Sequence, residues 1–137
     1  MTETVLLDTS AVIDLPDPGE IPDDRPTAIS SITLAELAAG VHAAPRPRDR
    51  AVRLVRLQRV EASLVCLPFT PDAARMYGQL YAMVQDAGKQ PRSRRMDLLI
   101  AAVAAVHQIP LVTRNACGFN DLKPFVRVIA LPGRANP

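Results

Sequence analysis

Five short runs rich in apolar residues alternate along the chain with longer segments of helical periodicity. The runs cover residues 5–7, 27–30, 65–68, 110–113 and 128–130. Continuous apolar strands separated by helices are typical of a parallel sheet that helices cover on both faces. The sequence therefore predicts an α/β fold built on a central, mainly parallel sheet of four to five strands.

The helical segments lie between these runs. Residues 96–107 are apolar on almost every side, which is typical of a central helix that is covered all round. A second helix is expected to open at Thr33 and to run over residues 34–43. The other predicted helices are a short one beginning near Ser10 and longer ones over residues 49–62 and 71–87. Loops are predicted where breakers cluster, over residues 16–26, 88–95 and 114–123.

Length and composition restrict the class of protein. A chain of 137 residues with 48% hydrophobic and 22% charged residues fits a single globular domain over residues 1–137, with residues 132–137 as a frayed tail. Cys66 and Cys117 stand alone, which excludes a zinc ribbon or a disulfide scaffold and predicts a reducing, cytoplasmic location. No stretch approaches the ~20 apolar residues of a membrane span, so we expect no membrane association.

The charges are unevenly distributed and favour a phosphate-bearing partner. Residues 1–36 contain eight acids and one base, whereas the rest contains fifteen bases and six acids. Fourteen of the sixteen bases are arginines, which make bidentate contacts with phosphate. The arginines at positions 92, 94 and 95 are candidate RNA contacts. A second series, at positions 50, 53, 56 and 59, fits RNA, an acidic partner or a solvated helix face.

Three carboxylates are candidates for a metal site. Asp8 directly follows the first predicted strand, Glu36 follows the second, and Asp97 lies in the first turn of the apolar helix. Ligands of a parallel sheet bind beyond the carboxyl ends of its strands, so we expect these side chains to converge. Converging carboxylates repel one another, and a hard divalent cation such as Mg²⁺ or Mn²⁺ relieves that repulsion. A divalent cation that activates water, beside arginines that bind phosphate, is typical of enzymes that cleave phosphodiester bonds.

Each carboxylate also has a purely structural explanation. Asp8 can cap the helix that begins near Ser10. Thr33 and Glu36 have the spacing of a capping box. Asp97 can complement the dipole of its helix. The residues alone leave both explanations open.

Four motifs, in chain order, cover nearly the whole chain. They are LDTSA at 7–11, SxTxxELxxG at 31–40, DxxIAA at 97–102 and LVTRNxxxF at 111–119. With these motifs the chain resembles the PIN-domain ribonucleases, in particular the VapC-type toxins of bacterial toxin–antitoxin pairs. The resemblance implies a PIN-like three-layer sandwich, a homodimer and a cognate VapB-like antitoxin that blocks the acidic site. It also implies an endoribonuclease in which Asp8, Glu36 and Asp97 bind Mg²⁺ or Mn²⁺.

Ser10 has its supporting role from the resemblance, Thr113 and Arg114 are further candidates, and one departure from the family stands out. Ser10 and Thr113 are expected to support the metal site, and Arg114 to contact RNA. The family often has a fourth acid at the position of Asn115 or Gly118, and neither is acidic here. Asn115 can still hold a metal or a water through its amide oxygen, but a second cation should bind more weakly, which leaves one or two metals open.

Two other functions compete with the nuclease. The missing fourth acid fits an RNA-binding module of PIN type with weak or no cleavage. A phosphoryl-transfer or receiver domain has a similar α/β build, but the sequence has neither paired aspartates nor a lysine after a late strand. A divalent-metal-dependent cleavage assay separates the nuclease from the RNA-binding module.

Overall fold

The computed structural model of the chain describes residues 3–17 and 19–133 and contains one sheet of five strands. The strands are β1 (Val5–Leu7), β2 (Thr27–Ser30), β3 (Val65–Leu67), β4 (Leu111–Thr113) and β5 (Val128–Ala130). Every neighbouring pair is parallel, and the order across the sheet is β3-β2-β1-β4-β5. The predicted α/β fold with a parallel sheet is confirmed, and β1 is its central strand.

Five α-helices connect or follow the strands. They are α1 (Thr9–Ile13), α2 (Ser31–Ala43), α3 (Pro47–Ser63), α4 (Pro71–Asp86) and α5 (Arg95–His107). The stretches predicted as loops contain 3-10 helices at Pro22–Asp24, Pro91–Arg94 and Ala116–Leu122. Helix α2 begins two residues before Thr33, because Ser30 at the end of β2 already caps it.

Alternate residues of the strands point to opposite faces of the sheet and bury two separate cores. Leu6 and Ala28 face α4 and α5, whereas Val5, Leu7 and Ile29 face α1, α2 and α3. The result is a three-layer sandwich, as predicted. Residues 100–104 of α5 are all buried, which confirms the central position of that helix.

The outer strand β3 is the exception to the expected coverage. Val65 is 65% exposed and Cys66 is exposed, because an edge strand has a neighbour on one side only. Among the residues described, no helix has both the length and the apolar character needed to cross a lipid bilayer. Of the tail predicted at 132–137, residues 134–137 lie outside the described part of the chain.

Candidate active site

Asp8 lies at the carboxyl end of the central strand and is the N-cap of α1. Its Oδ1 accepts hydrogen bonds from the backbone N–H of Ala11 at 3.0 Å and from Oγ of Ser10 at 2.6 Å. Asp8 is only 4% exposed. The capping role is therefore real, but both hydrogen bonds go to Oδ1, and no described residue donates one to Oδ2. Oδ2 is the atom through which Asp8 can bind a cation.

Glu36 lies on α2 and does not belong to a capping box. The backbone N–H of Thr33 donates to Oγ of Ser30 at 3.1 Å, so Ser30 is the cap and the structural explanation for Glu36 is wrong. Glu36 instead accepts a hydrogen bond at Oε1 from Oγ1 of Thr9, at 2.6 Å. Oγ1 of Thr9 also lies 3.2 Å from Oγ1 of Thr33. Thr9 was not predicted as a site residue, although its hydroxyl stands next to Asp8 in the sequence.

Asp97, half-buried in the first turn of α5, is under the influence of the other two carboxylates. Burial raises the pKa of Asp97, and the negative charges of Asp8 and Glu36 raise it further, whereas the nearby guanidinium of Arg94 lowers it. The three predicted acids are thus close enough to repel one another. A cation shared among them would remove that repulsion.

The three carboxylates form an open cluster and not a closed cage. Within residues 3–17 and 19–133, no three His, Cys, Asp or Glu side chains are close enough to hold a metal ion directly. Carboxylate oxygens are nevertheless the ligands that Mg²⁺ and Mn²⁺ prefer, and Mg²⁺ usually keeps several of its waters. The donor set therefore fits a hydrated divalent cation.

Ser10 and Thr113 connect the cluster to the end of β4. Their hydroxyl oxygens lie 3.5 Å apart. Oγ of Ser10 accepts the backbone N–H of Arg114 at 3.1 Å, and Oγ1 of Thr113 accepts that of Asn115 at 3.0 Å. Since Ser10 also donates to Asp8, the hydroxyl pair fixes the carboxylate relative to the neighbouring strand.

Asn115 and Gly118 lie side by side, where the fourth acid was expected. A Cβ placed on Gly118 would be 3.3 Å from Nδ2 of Asn115 and 3.7 Å from Nη2 of Arg94. The side chain of Asn115 itself is exposed. This corner of the site therefore presents an amide and a guanidinium where an acid would bring negative charge.

The three arginines before Asp97 have different surroundings. Arg92 and Arg95 are exposed and are available to an RNA backbone. The side chain of Arg94 is only 18% exposed. Its Nη1 lies 3.8 Å from Oδ2 of Asp121, and its Cζ lies 6.0 Å from the centre of the Phe119 ring. The pairing with Asp121 was not predicted, because the two residues lie in different loops.

The side chain of Arg114 is held by contacts within the protein, and these contacts give no support to the predicted contact with RNA. Its side chain is 7% exposed and donates to the backbone carbonyls of Asp14 at 2.8 Å, Leu15 at 3.2 Å and Pro132 at 2.9 Å. It also lies 3.6 Å from the carboxylate of Glu20. A guanidinium with so many internal acceptors holds the loop after α1 in place.

Half of the arginine series on α3 is likewise structural. Nε of Arg50 donates to the carbonyl of Ala44 and Nη1 of Arg53 donates to that of Gly40, each at 2.7 Å. Cationic side chains at the last carbonyls of a helix satisfy unpaired acceptors and oppose its dipole. These two arginines therefore secure α3 to the end of α2.

The other two arginines of the series line an apolar groove of about 720 Å³ between α1 and α3. Val52 and Val55 in this groove are 57% and 45% exposed, and Ile13 and Leu15 on the opposite side are 51% and 55% exposed. Apolar side chains exposed together in this way mark an interaction surface. The groove is lined by, among others, Ile13, Leu15, Val52, Val55, Arg56 and Arg59.

Comparison with known proteins gives a consistent result. The family model of the PIN domain matches residues 5–122. Ribonuclease VapC5 of Mycobacterium tuberculosis is 42% identical over 99 residues, which span 72% of this chain and 70% of that protein. VapC ribonuclease Y4jK of Sinorhizobium fredii is 36% identical over 94 residues, which span 66% of each chain.

Solved structures agree with the sequence comparison. A chain of the VapBC-5 toxin–antitoxin structure from M. tuberculosis superimposes with a TM-score of 0.78 at 36% identity, covering 94% of this chain and 99% of that one. A chain of VapBC2 from Rickettsia felis, bound to a DNA fragment of its promoter, gives a TM-score of 0.71 at 26% identity, covering 91% and 96%.

Proposed function

Because the chain belongs to the PIN-domain family, in its VapC group, we propose that it is a metal-dependent endoribonuclease and the toxin of a toxin–antitoxin pair. The observation that supports this proposal is that the negative charges of Asp8 and Glu36 both act on Asp97. Both curated relatives described above are named as ribonucleases, which supports RNA as the substrate.

Asp8, Glu36 and Asp97 would hold the cation, Mg²⁺ or Mn²⁺. The chemistry that such a cation supplies when bound is activation of a water and neutralisation of charge at the phosphate. The protein orients the ligands beforehand. Thr9 holds Glu36 through its hydroxyl, and Ser10 holds Asp8.

The remaining predicted residues would act around this cluster. Thr113 steadies Ser10 from the end of β4, and Asn115 offers an amide at the exposed edge of the site. The exposed Arg92 and Arg95 would attract the RNA backbone. Contacts of this kind supply affinity but no sequence preference.

The proposed partner is a VapB-like antitoxin. Solved relatives come from VapBC toxin–antitoxin complexes, some of them bound to DNA. The apolar groove between α1 and α3 suits a segment of such a partner, because its valines are exposed and Arg56 and Arg59 would pair with acidic side chains. We further propose that the protein acts in the cytoplasm as a homodimer, as the resemblance implies.

One observation favours the second candidate, an RNA-binding module without nuclease activity. Neither Asn115 nor Gly118 supplies a fourth negative charge, so the site can hold less cationic charge than a site with four acids. We prefer the nuclease, because the negative charges of Asp8 and Glu36 still act on Asp97 and would favour a cation there.

A cleavage assay decides between the two. Purified protein is incubated with a structured RNA and with Mg²⁺, Mn²⁺ or EDTA, beside the Asp8→Asn variant. We expect cleavage with either metal, none in EDTA and none by the variant. RNA that binds but stays intact with both metals would establish the binding module instead. Cleavage that persists in EDTA would contradict the metal mechanism.

A further inference from the structure

Arg94 is a partly buried cation at the candidate active site, and its hydrogen-bonding capacity is not fully used inside the protein. It lies in the 3-10 helix Pro91–Arg94, three residues before Asp97, with its guanidinium near the ring of Phe119. Its Nη2 has no hydrogen-bond partner in the described part of the chain, and neither has Oδ2 of the neighbouring Asp121. A guanidinium donor without an acceptor is unfavourable, so a ligand oxygen beside Arg94 would stabilise the complex.

Asp121, the acid nearest to Arg94, has a second and closer cation. Nζ of Lys89 lies 2.8 Å from Oδ2 of Asp121, whereas Nη1 of Arg94 lies 3.8 Å from it. Neither approach has hydrogen-bond geometry. Asp121 and Phe119 therefore fix the position of Arg94, while Lys89 supplies most of the neutralising charge. The guanidinium keeps charge and a donor for an external anion.

Arg94 lies beside Asn115 and Gly118, the two positions where the family often has a fourth acid. Its Nη2 and the amide of Asn115 both lie within 4 Å of the position that a Cβ on Gly118 would take. Around the site, four carboxylates carry a charge of −4 and two cationic side chains carry +2. The carboxylates are Asp8, Glu36, Asp97 and Asp121, and the cations are Lys89 and Arg94. A single divalent cation makes the sum zero before a phosphate binds.

We propose that Arg94 is a catalytic residue of the RNA cleavage proposed above, and that its guanidinium, which is 18% exposed, binds a non-bridging oxygen of the scissile phosphate. In this way the protein supplies, from a fixed side chain, positive charge that a second cation would bring to a site with a fourth acid. Guanidinium groups are suited to this task because their planar donors match phosphate oxygens and never lose their charge. The inference rests on the proposed function for its substrate.

The first experiment measures single-turnover cleavage at saturating Mn²⁺ and RNA. We expect Arg94→Ala to slow the cleavage step about 100-fold, the effect of removing one donor to a transition-state charge. Arg94→Lys should recover part of that loss, since it keeps the charge but not the fork of donors. Arg75→Ala is the control, because Arg75 is exposed on α4 and pairs with Asp72 one turn away. Arg94→Ala that cleaves at the wild-type rate would overturn the proposal.

Folding and RNA affinity are measured on the same variants. Arg94→Ala should keep the circular dichroism spectrum of the wild type, and at saturating Mn²⁺ its effect should fall on the cleavage rate. For Arg92→Ala and Arg95→Ala we expect mainly a higher RNA concentration for half-saturation. If Arg94→Ala raises only that concentration and leaves the saturated rate unchanged, Arg94 binds RNA without acting in catalysis.

A second experiment does not depend on cleavage. The side-chain NMR signal of Arg94 is followed in the full-length Asp8→Asn variant in EDTA while RNA is added. We expect the Arg94 signal to shift. The signal is identified as that of Arg94 because it is missing from the spectrum of Arg94→Lys. An unmoved Arg94 signal, together with shifting signals from Arg92 and Arg95, would overturn the contact. Absence of metal-dependent cleavage by the wild type would instead contradict the proposed function while leaving this contact measurable.

Discussion

Oγ1 of Thr9 donates a 2.6 Å hydrogen bond to Oε1 of Glu36 and so joins the first residue of α1 to the second turn of α2. The two residues are 27 positions apart in the sequence, and they follow two neighbouring strands, β1 and β2. Since Thr9 follows Asp8 directly, one short segment orients two of the three carboxylates. Thr9 is therefore a positioning residue of the proposed metal site.

Removing this hydroxyl tests that role. Thr9→Val keeps the shape of the side chain but leaves Glu36 without its donor, and a hydrogen bond to a charged group contributes about 1.5–3 kcal/mol. We expect a loss of stability at the lower end of that range, since Glu36 is partly exposed, and roughly tenfold slower cleavage. Thr9→Ser should restore both. Urea unfolding and cleavage rates are the measurements, and Thr9→Val with a wild-type rate would show that Glu36 needs no such support.

Asp8 combines a helix cap with a proposed cation ligand, and two substitutions separate the roles. Asn is as good a cap as Asp, because its amide oxygen can accept the N–H of Ala11. We expect Asp8→Asn to stay within about 1 kcal/mol of wild-type stability while losing Mn²⁺ binding and cleavage. Asp8→Ala should lose the cap as well, at a further cost of about 1 kcal/mol. Calorimetry with Mn²⁺ checks the binding, and unchanged affinity in Asp8→Asn would exclude Asp8 as a ligand.

Glu36→Gln tests the second carboxylate. Gln can still accept the hydrogen bond from Thr9 but carries no charge for a cation. We expect the variant to melt within a few degrees of the wild type in EDTA, yet to show a much smaller rise in melting temperature with Mn²⁺ and strongly reduced cleavage. A full Mn²⁺ shift in Glu36→Gln would leave Glu36 with a structural role only.

Asp97 gives a prediction for pH. Its pKa in the folded state is raised above the ordinary value of 3.8, first by burial and then by Asp8. Between the ordinary and the raised value the folded state binds more protons than the unfolded state, so the stability contributed by Asp97 falls as pH rises through that window. In EDTA we expect Asp97→Asn to flatten this slope and to be more stable than the wild type at neutral pH, by less than about 1 kcal/mol because solvent screens a half-buried carboxylate.

The measurement is the free energy of unfolding from urea titrations across acidic to neutral pH. Below the ordinary pKa the wild type and Asp97→Asn should converge, because Asp97 is then protonated in both states. Parallel curves at every pH would contradict the prediction. With Mn²⁺ the order should reverse, since a bound cation stabilises the folded wild type.

Two groups of arginines should respond to substitution in opposite ways. Replacing the exposed Arg92 and Arg95 by Ala should flatten the dependence of RNA affinity on salt concentration, because fewer counterions are released, and should leave stability almost unchanged. Arg114→Ala should instead destabilise the fold by about 2 kcal/mol or more, because three backbone carbonyls lose their donor. An Arg114→Ala variant of normal stability would contradict the role that the structure gives this residue.

Much of the fold is predictable from the sequence because its strands are short, apolar and separated by helices. The three acids are predictable for a related reason, since parallel strands bring the residues that follow them to one edge. The errors are local. Either Ser30 or Thr33 could cap the start of α2. Which of the two hydroxyls does so depends on where β2 ends, and in the structure it is Ser30.

The contacts that the sequence does not reveal are those between distant segments. Arg114 and Arg94 look alike as exposed basic residues of a loop, but one donates to the carbonyls beyond α1 and the other lies between Phe119 and Asp121. Arginine has enough reach and enough donors to be satisfied by backbone that is far away in sequence. Its role therefore follows from tertiary structure and not from local pattern.

The central strand β1 is synthesised early, but β4, one of its two neighbours in the sheet, is synthesised late. The backbone N–H of Asp8 donates to the carbonyl of Val112 at 3.0 Å, and Oγ of Ser10 accepts the backbone N–H of Arg114. Both of these partners belong to β4 or directly follow it. On the ribosome, the N-terminal acids therefore exist for most of synthesis without the strand that fixes them. This connectivity postpones completion of the site until β4, in the last third of the sequence, has been synthesised.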